Sequence, residues 1–160
     1  MEHLKNAIFI LGYNGPIILV GLSTWLFRHT PTTLVFYYAG NVANIFINLI
    51  LKNLIKEPRP DDDSSSLEWL SSQNKSRFDW DKYGMPSGHA QLMFFSVAYV
   101  YNSLHNMYWT TIYLIIACNT IVQRLAYKNH TTQQLLVGTI IGSLSGYELY
   151  NILHKFRVIV

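Results

Sequence analysis

The stretch "KYGMPSGHAQLMFFSVAYV", Lys82–Val100, decides how the chain is read. A Pro, a Ser, a Gly and a His stand directly before the apolar run Leu92–Val100. Pro86 suits the first turn of a helix, and Ser87, Gly88 and His89 would then present free backbone N–H groups and the positive end of the helix dipole. Gly88 lets an anion come close to the backbone, and His89 can give or take a proton near neutral pH. The stretch therefore predicts a helix whose N-terminus is a phosphate site with acid–base chemistry attached. A plain capped helix start is the simpler alternative.

Composition says what that helix is set in. Half of the 160 residues are hydrophobic and only 13% are charged, against about a quarter in ordinary soluble domains. The mean hydropathy of +0.15 is modest only because polar residues concentrate in Lys56–Tyr83. Segments near the ~20 residues needed to cross a bilayer fall at about Asn6–Phe27, Thr33–Ile55, Gly88–Leu104, Tyr108–Val122 and Gln133–Leu153. The expectation is an all-α, polytopic membrane bundle of about five transmembrane helices, a single domain over 1–160, with a polar loop at about 57–85. Asn44, Asn48 and Asn119 lie within spans and need partners inside the bundle. Gly138, Gly142 and Gly146 leave one face of the last helix bare, so another backbone can approach it. Gly15-Pro16 interrupts the first apolar stretch, which argues against a cleaved signal peptide. The lone cysteine, Cys118, reads as small core filler.

Two further clusters lie at span ends on the same face as Pro86–His89 if the crossings alternate. In "LKNLIKEPRP", Leu51–Pro60, Lys52 and Arg59 are seven residues apart, about two helical turns, so one helix face can carry both before Pro58 and Pro60 stop it. Ordinary snorkelling of cations to the interface is the bland reading. In "QRLAYKNHTTQQ", Gln123–Gln134, Arg124 and His130 stand between the last two spans. Convergence of Lys52, Arg59, Ser87, His89, Arg124 and His130 on one face is what makes these clusters a candidate site.

The three clusters, K-x6-R-P at Lys52–Pro60, P-S-G-H at Pro86–His89 and R-x5-H at Arg124–His130, resemble in order and spacing the signature motifs of the type 2 phosphatidic acid phosphatase superfamily. The surroundings, including Gln134 four residues after His130, resemble its dolichyl-diphosphatase branch. Gln123 stands where Ser usually precedes the Arg, and Gln134 where many members have an Asp that orients the nucleophilic histidine. Two spans precede the loop, where the common core has three. The first span has no counterpart among the motifs.

The resemblance implies a metal-independent, cofactor-free hydrolysis of the terminal phosphate of a polyprenyl diphosphate or another lipid phosphate. His130 would attack phosphorus and form a phosphohistidine. Lys52, Arg59, Arg124, Ser87 and Gly88 would hold the phosphate oxygens, His89 would protonate the leaving group and later activate water, and Gln134 would orient His130. The implied partner is a membrane lipid; a homo-oligomer is compatible, and no nucleic-acid signature is present. Trp69, Phe78 and Trp80 suggest an interfacial belt in the loop. The branch implies an endoplasmic-reticulum site facing the lumen, although the count of Lys and Arg on the motif face favours the cytoplasm. Two rivals are a Mg²⁺-dependent transferase using Asp61, Asp62 and Asp63, and a non-catalytic head-group binder.

Overall fold

The computed structural model describes residues 9–60 and 82–158, which form helices and short turns with no strand among them. A helical stretch at 9–13 turns at Asn14 into α1 (Gly15–Leu26). There follow α2 (Pro31–Ile55), α3 (Gly88–Leu104), α4 (Met107–Ala126) and α5 (Thr132–Lys155). The boundaries follow local chemistry. Proline opens α2, the Asn106 side chain caps α4 by accepting from the N–H groups of Tyr108 and Trp109, and a Thr131/Gln134 capping box opens α5.

These helices fall within a few residues of the expected segments, and the break at Asn14 lies where Gly15-Pro16 interrupts the first. Among the described residues, α2 is the one helix both long and apolar enough to cross a membrane on its own credentials, and α1 is a shorter apolar helix. The loop residues Asp61–Asp63, Trp69, Phe78 and Trp80 lie outside the described residues.

The central element is α3, which packs against all four other helices. Its Met93, Phe95, Tyr99 and Val100 are fully buried with Leu19, Phe27, Tyr37 and Tyr113. Burying tyrosine requires a partner for each hydroxyl. Tyr37 meets Ser96 at 2.8 Å, Tyr113 meets Ser23 at 2.8 Å, and Tyr99 donates to the Thr33 carbonyl at 2.9 Å.

The closest packing is between α3 and α5, and the glycine stripe explains it. A Cβ placed on Gly138, Gly142 or Gly146 would stand 2.5, 2.1 or 2.5 Å from the carbonyl oxygens of Ser87, Gln91 and Phe95. Backbone therefore lies on backbone. A polar ladder ties α2 to this pair: Gln91 Nε2 donates to Asn44 Oδ1 (2.9 Å), Asn48 Nδ2 donates to Gln91 Oε1 (2.9 Å), and Ser145 donates to Asn44 Oδ1 (2.9 Å). The buried asparagines are thus satisfied, as their position required. Cys118 is a correction: it is exposed. Tyr113, Ala117 and Thr120 form the inward face of α4, which turns position 118 outward.

Candidate active site

Because helices consecutive in the chain run antiparallel, the start of α1, the end of α2, the start of α3, the end of α4 and the start of α5 meet at one end of the bundle. A cavity of about 370 Å³ opens there, lined by Lys52, Arg59, Gly88, His89, Arg124 and His130, with Tyr13, Asn129 and the bundle residues Asn44, Ile45, Asn48, Leu49 and Leu92. Lys52, Arg124 and His130 are buried.

The route by which Arg59 arrives differs from the expectation. Helix α2 ends at Ile55, and Lys56 adopts the left-handed conformation (φ 54°). Arg59 therefore does not share a helix face with Lys52. The turn after α2 carries it back over the site, where its Nη1 donates to the Asn129 carbonyl (3.2 Å) and to Nε2 of His130 (3.1 Å). Pro86 likewise precedes the cap instead of opening the helix: Ser87 is the N-cap of α3, and its side chain accepts from the Ala90 N–H. Met85-Pro86 is a cis peptide bond. Ser87 is fully buried and does not line the cavity; Gly88, at the first helical position, does.

The contacts of His130 define its tautomer. A guanidinium only donates, so Nε2 accepts from Arg59 and carries a lone pair. Nδ1 carries the proton and donates to the Gly84 carbonyl (3.0 Å) and to Gln134 Oε1 (3.1 Å). Burial, then the charges of Arg59, Arg124 and Lys52, hold the His130 pKa well below the ordinary histidine value, with the Gln134 hydrogen bond opposing them. The result is a neutral imidazole with its unprotonated nitrogen among cations.

Across the cavity, Arg124 Nη2 donates to Nε2 of His89, and the same nitrogen lies 3.2 Å from the Tyr13 carbonyl oxygen. Nε2 of His89 thus has a donor beside it for its neutral form and an acceptor for its protonated form. Arg124 also donates to Asn129 Oδ1 (3.3 Å) and stacks 5.2 Å from the Tyr13 ring centroid.

Four residues here escaped the sequence reading. Tyr13 lies in the segment without a motif. Asn129 links both arginines through its carbonyl and side chain. Gly84 supplies a carbonyl to His130, and a Cβ there would stand 2.5 Å from Gln134 Oε1. Glu57 accepts from Gln134 Nε2 at 2.8 Å. The Thr131-x-x-Gln134 capping-box pattern was the readable signal that the Gln134 side chain folds back toward His130. Among the described residues, no three His, Cys, Asp or Glu side chains gather into a metal-binding group.

An unprotonated imidazole nitrogen, three buried or half-buried cations and a second histidine meet around one cavity at the end of the helical bundle, an arrangement chemically suited to an anion. A family profile described as the PAP2 superfamily matches residues 30–157, and the chain belongs to that superfamily. Among curated relatives, the dolichyldiphosphatase of Saccharomyces cerevisiae is 29% identical over 118 residues, covering 67% of this chain and 46% of the relative. Dolichyldiphosphatase 1 of Homo sapiens is 27% identical over 155 residues, covering 87% of this chain and 60% of the relative; that of Dictyostelium discoideum is 24% identical over 147 residues, covering 85% and 59%. The chain thus spans roughly half to three fifths of the length of these relatives. No solved structure matches it.

Proposed function

We propose that this protein hydrolyses the terminal phosphate of a polyprenyl diphosphate, leaving the monophosphate, through a phosphohistidine on His130. The observation that carries the reading is the unprotonated Nε2 of His130, held at the cavity by Nδ1–H bonds behind it and flanked by Arg59. The Nε2 lone pair attacks phosphorus as the bond to the bridging oxygen breaks. The lipid monophosphate leaves with that electron pair and takes a proton from His89. His89 then removes a proton from water, which attacks the phosphohistidine; the N–P bond breaks, its pair returns to Nε2, and orthophosphate departs.

Lys52, Arg59, Arg124 and the Gly88 N–H are the groups set to hold the equatorial oxygens, where charge spreads in a loose transition state. The same cations do for the phosphoryl group what a divalent ion does elsewhere, so the reaction runs without metal. Ile45, Leu49 and Leu92 line the bundle side of the cavity, where the first carbons of the lipid would lie. The relatives at 24–29% identity and the motif surroundings support this substrate class. A five-helix membrane bundle, with the site at the lumenal face of the endoplasmic reticulum, is the setting that suits a phosphate in water on a tail in hydrocarbon.

The test is phosphate release by purified protein in detergent with excess chelator, comparing a polyprenyl diphosphate with phosphatidic acid. The proposal expects chelator-resistant turnover with the diphosphate preferred. Equal or faster turnover of phosphatidic acid would reassign the substrate, metal-dependent transfer would favour the Asp61–Asp63 rival, and no turnover the head-group binder.

A further inference from the structure

The side-chain amide of Gln134 makes four hydrogen bonds, and their polarity leaves it one orientation. Oε1 accepts from His130 Nδ1 (3.1 Å) and from the Thr131 N–H (3.2 Å). Nε2 donates to Glu57 Oε1 (2.8 Å) and to the Pro58 carbonyl (2.8 Å). Gln134 is fully buried. Glu57 is held from the other side, since its carbonyl accepts from the Gly84 N–H at 2.8 Å, and Gly84 in turn supplies the second acceptor for His130 Nδ1.

We propose that Glu57 is a positioning residue for the reaction, acting on His130 through the Gln134 amide: a carboxylate, an amide and an imidazole in one hydrogen-bonded line. The inference rests on the phosphohistidine reading for its catalytic meaning, though its geometry stands apart from it. A carboxylate on the N–H side of an amide polarises the group, so the carbonyl becomes a stronger acceptor for the next donor in the chain. The ring is thereby held with Nε2 toward the cavity, and the positive charge that develops on the imidazole as Nε2 bonds to phosphorus gains a distant counter-charge.

The spacing has a purpose. A carboxylate directly on Nδ1 would favour the protonated ring, which cannot attack, and would oppose what Arg59, Arg124 and Lys52 do to His130. One amide further away, the carboxylate orients and polarises while its field at the ring is weaker. This also explains why glutamine suits position 134. A carboxylate there could accept from His130 and Thr131 but could not donate to Glu57 or Pro58, and would face Glu57 as a like charge.

The test compares Glu57→Ala, Glu57→Gln, Gln134→Glu and the double variant Glu57→Gln/Gln134→Glu, in purified full-length protein assayed with a polyprenyl diphosphate. Hydrogen-bond partners of metal-bound histidines are worth about 10–100-fold, and the low end of that range is the expectation for a histidine oriented in the same way without a metal. Glu57→Ala should therefore lower kcat about tenfold with KM little changed, because the phosphate clamp is intact. Glu57→Gln keeps an acceptor of the same shape and should stay within a few-fold of the parent. Gln134→Glu should be more impaired than Glu57→Ala, and adding Glu57→Gln to it should restore most of the loss, since the introduced amide can donate to the introduced carboxylate. A double variant no better than Gln134→Glu alone would overturn the proposal, as would Glu57→Ala with parental kcat. If Glu57→Ala fails to fold, the two volume-conserving changes still decide.

The ¹⁵N spectrum of the His130 imidazole separates this idea from the proposed activity. The Nδ1–H tautomer should dominate in the parent and give way to a mixture in Glu57→Ala. An unchanged tautomer would sink the relay even in an active enzyme. Its change in a protein that hydrolyses no lipid phosphate would uphold the relay and remove the phosphatase reading.

Discussion

Replacing Gly138 by Ala tests whether the α3–α5 contact sets the geometry of the site. The added Cβ would lie 2.5 Å from the Ser87 carbonyl oxygen and 3.1 Å from the Ala90 Cβ. Ordinary contact begins at 3.4 Å, so the start of α3 must move away by about 0.9 Å in a closely packed interior. The obstacle is backbone and cannot rotate aside. Overpacking of this kind costs about 1–3 kcal/mol, and the helix propensity of Ala over Gly returns up to about 1 kcal/mol. The net loss of stability is thus about 0–2 kcal/mol, and the larger consequence is for activity. Ser87 N–H donates to the Gln134 carbonyl at 3.0 Å, and His89 is two residues further on, so the shift separates His89 and Gly88 from His130. A misplacement of about 1 Å costs on the order of 10² in rate. Gly146→Ala supplies the control: its Cβ meets the Phe95 carbonyl at the same 2.5 Å, but about 12 Å further along the helix. Turnover and thermal unfolding of both variants should show similar destabilisation with kcat lost only in Gly138→Ala. Equal loss of kcat in the two, or parental kcat in Gly138→Ala, would show that the α3–α5 contact does not set the geometry of the site.

Arg59→Gln should move the acidic limb of kcat/KM to higher pH, because removing a cation that holds the His130 pKa down lets the ring protonate sooner; a limb that stays put or moves to lower pH contradicts the assignment. The same depressed pKa makes the parent lose stability as pH falls below about 6.5, where unfolded histidine binds a proton and folded His130 does not; His130→Asn should flatten that slope in unfolding scans. His89→Ala should accumulate phosphoenzyme with a substrate whose leaving group needs no acid, whereas His130→Ala should form none, as read by rapid quench with labelled phosphate. Tyr13→Ala, which removes a cation–π contact worth about 0.5–2 kcal/mol, should lower kcat several-fold, with Tyr13→Phe close to the parent; equal loss in both would point to the hydroxyl instead of the ring.

The parts of this site legible in the sequence are those that alternation of helices dictates. Lys52, Arg124, His89 and His130 stand at helix ends, and in an up-and-down bundle those ends fall together whatever the details of packing. Arg59 reached the same place by a route that helical periodicity misread, since nothing in Lys56 announces a left-handed residue that stops the helix one turn early. Ser87 looked like a ligand because a hydroxyl before a helix suits both an anion and the helix's own N–H groups, and burial under α5 gives it to the latter. What stayed hidden were contacts made by the main chain: the carbonyls of Gly84, Asn129 and Tyr13 leave no side-chain pattern to read. Gln134 is the instructive case. It stands where the common residue is Asp, and an amide is the one side chain of that size that can accept from His130 while donating to Glu57. The substitution is intelligible only together with a glutamate 77 residues away in the chain, and pairing at that separation becomes visible only when the fold brings the two together.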